Sequence, residues 1–170
     1  MKKIIALLLV FIFSTTLLAG CGGNPSDEKN ESSISEPEAN LVHHELWDGF
    51  FIDYAPEIWK EGSNSFTFNG IENGINAIFL FKNVDVEAEA GEKIGKYDVT
   101  IDEEATIGEY IVRKIAYMEP MFGTNVYYCF YYVELGNSYS YKHLVVECNS
   151  YDDFSENTDV DDLISTLTAE

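Results

Sequence analysis

Positive charge is the scarcest property of this 170-residue chain. Ten lysines and arginines stand against thirty aspartates and glutamates, a formal net charge of −20. Lys2 and Lys3 precede the first acid, so the rest of the chain carries eight basic against thirty acidic side chains, or −22. Binding nucleic acid requires a basic footprint on the phosphates. Anionic lipid headgroups attract the same residue types. The charge therefore excludes nucleic acid as a partner and holds the chain off an anionic bilayer surface. Its ordinary consequence is solubility; its specific one is attraction of cations or of a basic partner.

Histidine and cysteine are also sparse. His43, His44 and His143 are the only histidines, and Cys21, Cys129 and Cys148 the only cysteines. Zinc needs three or four converging ligands, and neither His-Glu-x-x-His nor Cys-x-x-Cys occurs. His43 and His44 are adjacent, so on a strand they point to opposite faces. His143 reads as a partly exposed strand residue. No Gly-x-Ser-x-Gly elbow is present, and no serine pairs with histidine and acid in a recognisable order. Outside Gly20–Gly23 there is no glycine-rich phosphate loop. The acidic segment from Asp152 to Asp162 invites a calcium reading. Counted from Asp153, however, Thr158 stands where an EF-hand needs glycine and Ile164 where it needs glutamate. A helix N-terminus, which favours acids, accounts for the segment as well. No catalytic residue, cofactor or metal ligand is nominated, and the chain is expected not to be an enzyme.

Long apolar runs are absent, with one exception. Ile4 to Leu18 is interrupted only by Ser14, Thr15 and Thr16. Behind Lys2 and Lys3, that length suits the core of a secretory signal and is short of the ~20 residues of a membrane span. Leu18-Ala19-Gly20-Cys21 follows and resembles the bacterial lipobox. The resemblance implies cleavage between Gly20 and Cys21, with a diacylglyceryl thioether on the Cys21 thiol. The partner would then be the lipid bilayer, and the location the outer face of a cell membrane, most simply a Gram-positive surface. A multi-chain lipid anchor holds stably where a single acyl chain does not.

Residues 22–40, GGNPSDEKNESSISEPEAN, hold one aliphatic side chain, Ile34. Such a segment builds no core and reads as a tether attached to Cys21. A flexible chain of that length spans ~25 Å on average and ~60 Å when stretched. Asn30-Glu31-Ser32 matches a glycosylation pattern that belongs to a different secretory context from the lipobox.

From Leu41 to Glu170 the chain reads as one globular domain, with 46% hydrophobic and 14% aromatic residues overall. Gly49–Tyr54 is a strand ended by Pro56. Ser65–Phe68 alternates with period two, and Asn69-Gly70 and Asn73-Gly74 flank a hairpin turn. Ile75–Phe81 is apolar on both faces and reads as a central strand. Residues 84–96 suit a short helix or a loop equally. Val99–Ile101 reads as a short edge strand and Glu109–Tyr117 as another strand. Val126–Glu134 and Tyr139–Glu147 form a hairpin about Gly136-Asn137-Ser138. Val160, Leu163, Ile164 and Leu167 recur at helical spacing over Asp159–Leu167, with Thr158 or Asp159 as cap. The fold class expected is α+β: a curved antiparallel sheet with helix packed on one face, and a C-terminal helix.

FFIDYAPEIW, ATIGEYIVRKIAYM, YYCFYYVELGNSYSYKHLVVE and DVDDLISTL together resemble the PsbP/DcrB-like family over most of residues 46–168. The resemblance implies a curved antiparallel sheet with helices packed on it, found in many bacterial lipoproteins. It implies no shared catalytic residues.

Two features of the 126–147 hairpin bear on chemistry. Cys129 and Cys148 fall on the face of Val133, Leu144 and Val146. A tight turn would pair Cys129 with Leu144, and a four-residue loop with Val146. The latter leaves Cys148 a diagonal neighbour at ~7–8 Å, beyond the reach of a disulfide, so two buried thiols are expected. Tyr128, Phe130 and Tyr132 point the other way. Cross-strand packing explains such aromatics; an exposed recognition face for a sugar or a protein is the functional alternative. The function expected is a membrane-anchored, non-enzymatic binding or interaction domain with an unidentified envelope protein or small ligand as partner. A cation-binding or small-ligand accessory lipoprotein, such as one serving a transporter, is the second expectation.

Overall fold

The computed structural model describes residues 40–64 and 66–170. The signal-like run, Gly20, Cys21 and the tether up to residue 39 lie outside the described residues.

The fold opens with a hairpin. β1 (Val42–Trp47) and β2 (Phe50–Tyr54) are joined by Asp48-Gly49, both at positive φ, 48° and 81°. Positive φ at both central positions is the turn whose twist matches a two-residue hairpin. β10 (Thr168–Ala169) pairs with the other edge of β2, giving a three-stranded sheet ordered β1-β2-β10. A side chain on Gly49 would place its Cβ 2.8 Å from the carbonyl oxygen of Glu170. Gly49 is therefore a turn residue, not the first residue of a strand. Val42-His43-His44-Glu45 has little β-forming composition and is a strand through its pairing with β2.

A second sheet holds seven antiparallel strands in the order β3-β4-β5-β9-β8-β7-β6. They are β3 (Trp59–Glu61), β4 (Thr67–Gly70), β5 (Asn76–Lys82), β6 (Val99–Ile107), β7 (Tyr110–Met121), β8 (Thr124–Glu134) and β9 (His143–Ser150). β5 is interior, as its two apolar faces require. β6 is an edge strand, longer than expected. β7 and β8 run past both neighbours, since β6 pairs only as far as Tyr117 and β9 only as far as Tyr127. Their shared tip is Phe122-Gly123, and Phe122 is fully exposed at φ 51°. Pro120 is tolerated in β7 because Met121 and Thr124 close the turn. In the next pair out, the missing N–H points away from β8, to the side where β6 has ended.

Helices cover both faces of the large sheet. Residues 84–96 resolve to α1 (Val86–Lys96): the Asp85 carboxylate accepts from the Ala88 N–H at 3.1 Å, and Tyr97 N–H closes on the Lys93 carbonyl. Glu87 and Glu89 in the first turn and Lys93 and Lys96 in the last complement the helix dipole. α1 buries Ala90 against Ile115, Tyr132 and Val145. On the other face, α2 (Asp159–Ser165) and the small sheet enclose the main core. Phe68, Phe79, Tyr131, Leu144, Val146 and Ile164 are completely or almost completely buried there. The Thr158 side chain makes no cap bond. Leu167 lies beyond the helix end yet is buried.

Thr166 ties α2 to β2. Its hydroxyl accepts from the Asp53 N–H at 3.0 Å and has the carbonyls of Asp53 and Leu163 at 2.8 and 2.9 Å for its one proton. A buried N–H stripped of its partner costs about 1–3 kcal/mol. Thr166→Val is expected to lower unfolding stability by that amount in a urea titration, and Thr166→Ser to retain most of it.

Candidate functional site

The strand alternation places Tyr128, Phe130 and Tyr132 on one face, as expected, but α1 lies over that face. Tyr132 is buried, its hydroxyl donating to Glu89 at 3.1 Å. Phe130 is half-buried with the Lys93 ammonium 4.1 Å from its ring centre. Tyr128 is half-buried against Tyr117, at 5.3 Å between rings. Tyr97 stacks on the far side of Tyr117 at 4.1 Å, nearly parallel. An open recognition surface through these three residues is thus corrected: Tyr132 belongs to the core beneath α1. The cavity left beside the helix, about 320 Å³, holds Lys82, Glu89, Lys93 and Glu147. Lys82 pairs with Glu147 at 2.6 Å and Glu89 serves Tyr132, so its charges largely answer one another.

A different aromatic surface is open. Trp47, Phe66, Phe79, Leu80, Phe81 and Tyr141 line a cleft of about 190 Å³. Trp47 stands at the end of β1, 50% exposed, with its ring 6.3 Å from Phe66. Phe81 faces Tyr141 at 6.1 Å and Phe50 at 5.3 Å. Sites for drug-sized ligands occupy ~300–1,000 Å³. This cleft is smaller. Its lining comes from β1, the turn before β4, β5 and the loop before β9. No local sequence signal joins them, apart from the exposed tryptophan beside an Asp-Gly turn.

The histidines separate as expected. His43 stacks on Phe51 at 4.7 Å and sits 2.5 Å from the Asp53 carboxylate. His44 faces inward, with its ring edge-on to Phe68 and Glu61 at 3.5 Å. His143 begins β9 opposite Glu134, its Nδ1 buried without a hydrogen-bond partner. Among the described residues, no three His, Cys, Asp or Glu side chains converge on a metal-sized site. Three of the six acids of residues 152–162, Asp153, Asp159 and Asp161, have structural partners. Asp153 accepts from the Ser155 N–H at 2.9 Å. Asp159 accepts from Asn73 at 2.7 Å and Asn157 at 3.2 Å. Asp161 pairs at 3.2 Å with Lys114, a residue of β7 that is 6% exposed.

Cys129 and Cys148 are both buried and both free. The connection between β8 and β9 spans residues 135–142, longer than either turn considered above, and sets Cys129 directly opposite Cys148. The diagonal placement is therefore corrected. Burial pushes the Cys129 thiol up to about 12 and Cys148 well above its ordinary value. Burial likewise raises the phenols of Tyr117, Tyr131 and Tyr132.

No family model and no curated protein matches this chain. A solved structure from Bacteroides thetaiotaomicron aligns at 15% identity and a TM-score of 0.37, over 76% of this chain and 42% of that one. The chain spans less than half the length of that structure, and a likeness so low carries no functional weight.

The buried phenols and thiols make the fold sensitive to alkali. Their folded pKa values lie above the unfolded ones, so above about pH 9 the unfolded chain holds fewer protons. Stability of the reduced domain is expected to be flat at neutral pH and to fall as pH rises from 9 towards 12. Each titrating group contributes up to about 1.4 kcal/mol per pH unit. Urea midpoints from pH 7 to 11 measure this, and a double Cys129→Ala, Cys148→Ala variant should show a shallower fall above pH 9.

Proposed function

We propose that this chain is a bacterial lipoprotein, anchored through a lipid on Cys21, whose domain is a non-enzymatic protein-interaction module held outside the cell membrane. The address rests on Lys2, Lys3, the apolar run and Leu18-Ala19-Gly20-Cys21. We also assign the domain to the PsbP/DcrB-like kind, on the motifs quoted above.

The observation that carries the interaction reading is the aromatic cleft around Trp47. Its volume suits a single Leu- or Phe-sized side chain better than a free metabolite. Tryptophan and tyrosine at a partly exposed cleft are the residue types that dominate interface energies. The acidic balance of the chain selects the rest of the partner: an envelope protein presenting an apolar anchor inside a basic rim. Long-range attraction would then speed encounter and weaken as salt rises.

Two measurements test this. Cys21→Ala is expected to move the protein from the membrane pellet to the soluble fraction and to abolish labelling by radioactive palmitate; an unlabelled wild-type protein overturns the anchor. A photo-crosslinker at Tyr141 is expected to give one discrete adduct in cells. Trp47→Ala should weaken binding of that adduct's protein by about 2 kcal/mol or more, about 30-fold, while leaving the unfolding midpoint nearly unchanged. Equal affinity for both forms overturns the cleft as the docking site.

A further inference from the structure

The register of β8 against β9 creates a pairing that nothing in the spacing of the two cysteines announces. Between Tyr127↔Ser150 and Glu134↔His143 the two strands pair without a bulge, and Cys129 stands directly opposite Cys148. Leu135 N–H donates to the Lys142 carbonyl at 2.9 Å, so the next pair outward in the same register is hydrogen-bonded. Pair types alternate along an antiparallel ladder. Cys129 lies six residues from Leu135, so Cys129 and Cys148 also form a hydrogen-bonded pair, with Cα atoms ~5.5 Å apart. Disulfides span 4.4–6.8 Å between Cα atoms, most often ~5.5–6 Å. In a hydrogen-bonded pair the opposed Cβ atoms stand towards the far end of ~4.5–5.5 Å and need to close by about 1–2 Å to reach the ~3.8 Å of a disulfide. Both side chains point to the same face, next to the Tyr131–Val146 pair.

We propose that Cys129 and Cys148 form a site of cross-strand disulfide formation, closed when the chain folds in the presence of a thiol–disulfide oxidant. Two thiols lose two protons and two electrons and one S–S bond forms. The oxidant's own disulfide takes the electrons and leaves as two thiols. The structure holds the reduced form of the pair. In that folded form the thiols are 0% and 2% exposed, and exchange requires an accessible thiolate. The redox state of the pair is therefore fixed during folding: a chain folded reduced stays reduced, and one folded oxidised is shielded from reductants. This pairing is independent of the proposed membrane anchor and is tested in vitro, so either can fail without the other.

The full chain carrying Cys21→Ser, unfolded and reduced in urea, is refolded in detergent with either oxidised glutathione or dithiothreitol. Trypsin finds no lysine or arginine between Ile115 and Lys142 or between His143 and Glu170. After refolding with oxidised glutathione, a non-reducing digest should contain fragments 115–142 and 143–170 joined, and reduction should separate them. The oxidised sample should also unfold at higher urea than the reduced one. Protein already folded in dithiothreitol, then given oxidised glutathione, should keep both thiols open to alkylation after denaturation. Separate fragments after oxidative refolding, with both thiols free or glutathionylated, overturn the pairing. Rapid oxidation of the folded protein overturns the locking.

Discussion

Strands β8 and β9 are buried on both faces, and the rest of the molecule is arranged to cover them. Tyr132 and Val145 face α1, while Cys129, Tyr131, Val133, Leu144, Val146 and Cys148 face the other way. An antiparallel sheet can leave one face to water, but two apolar faces at the centre of one sheet demand two lids. The nearer lid, α1, is an eleven-residue helix between neighbouring strands in the sequence. The farther lid is assembled from both ends of the described chain, with β1 and β2 from the start and α2 and β10 from the finish. The buried Lys114–Asp161 pair fits this scheme. Removing two charges from water offsets most of what their attraction returns. The pair contributes location, fixing α2 over β7, more than stability.

The open cleft is what the farther lid leaves uncovered. The small sheet stops at the Asp48-Gly49 turn, and there Phe66, Phe81 and Tyr141 line an open cleft with Trp47 at its edge. The three aromatics first singled out, Tyr128, Phe130 and Tyr132, lie under the nearer lid. Which aromatics are free is thus decided by the length of the covers, a tertiary property, and not by the aromatic content of a strand.

The strands of the large sheet were legible wherever β-branched and aromatic residues ran between turn residues, as in Ile75–Phe81 and in the hairpin of the cysteines. The antiparallel α+β class followed from them and is what the structure shows. β1 was not legible, because two histidines and a glutamate occupy half of it and its partner is needed to explain them. α1 was ambiguous because Gly91 and Gly95 weaken its propensity; the Asp85 cap and the apolar surface waiting beneath Ala90 decide the matter. The β8–β9 register escaped because the connecting segment is longer than the Gly-Asn signal within it implies. A shift of register by two residues moves Cys148 from a diagonal neighbour to a direct partner without turning either side chain to another face. The cleft residues were individually visible and collectively not, since nothing local brings Trp47 beside Tyr141.

The final strand also governs when this fold can exist. The Thr166 hydroxyl meets β2 from 113 residues further along the chain, and β10 pairs with β2 from farther still. During synthesis the main core therefore lacks its lid until α2 and β10 have emerged. Contacts this far apart in sequence form slowly. Such a polypeptide emerges with its sheet unsealed and remains pliable until β10 reaches β2.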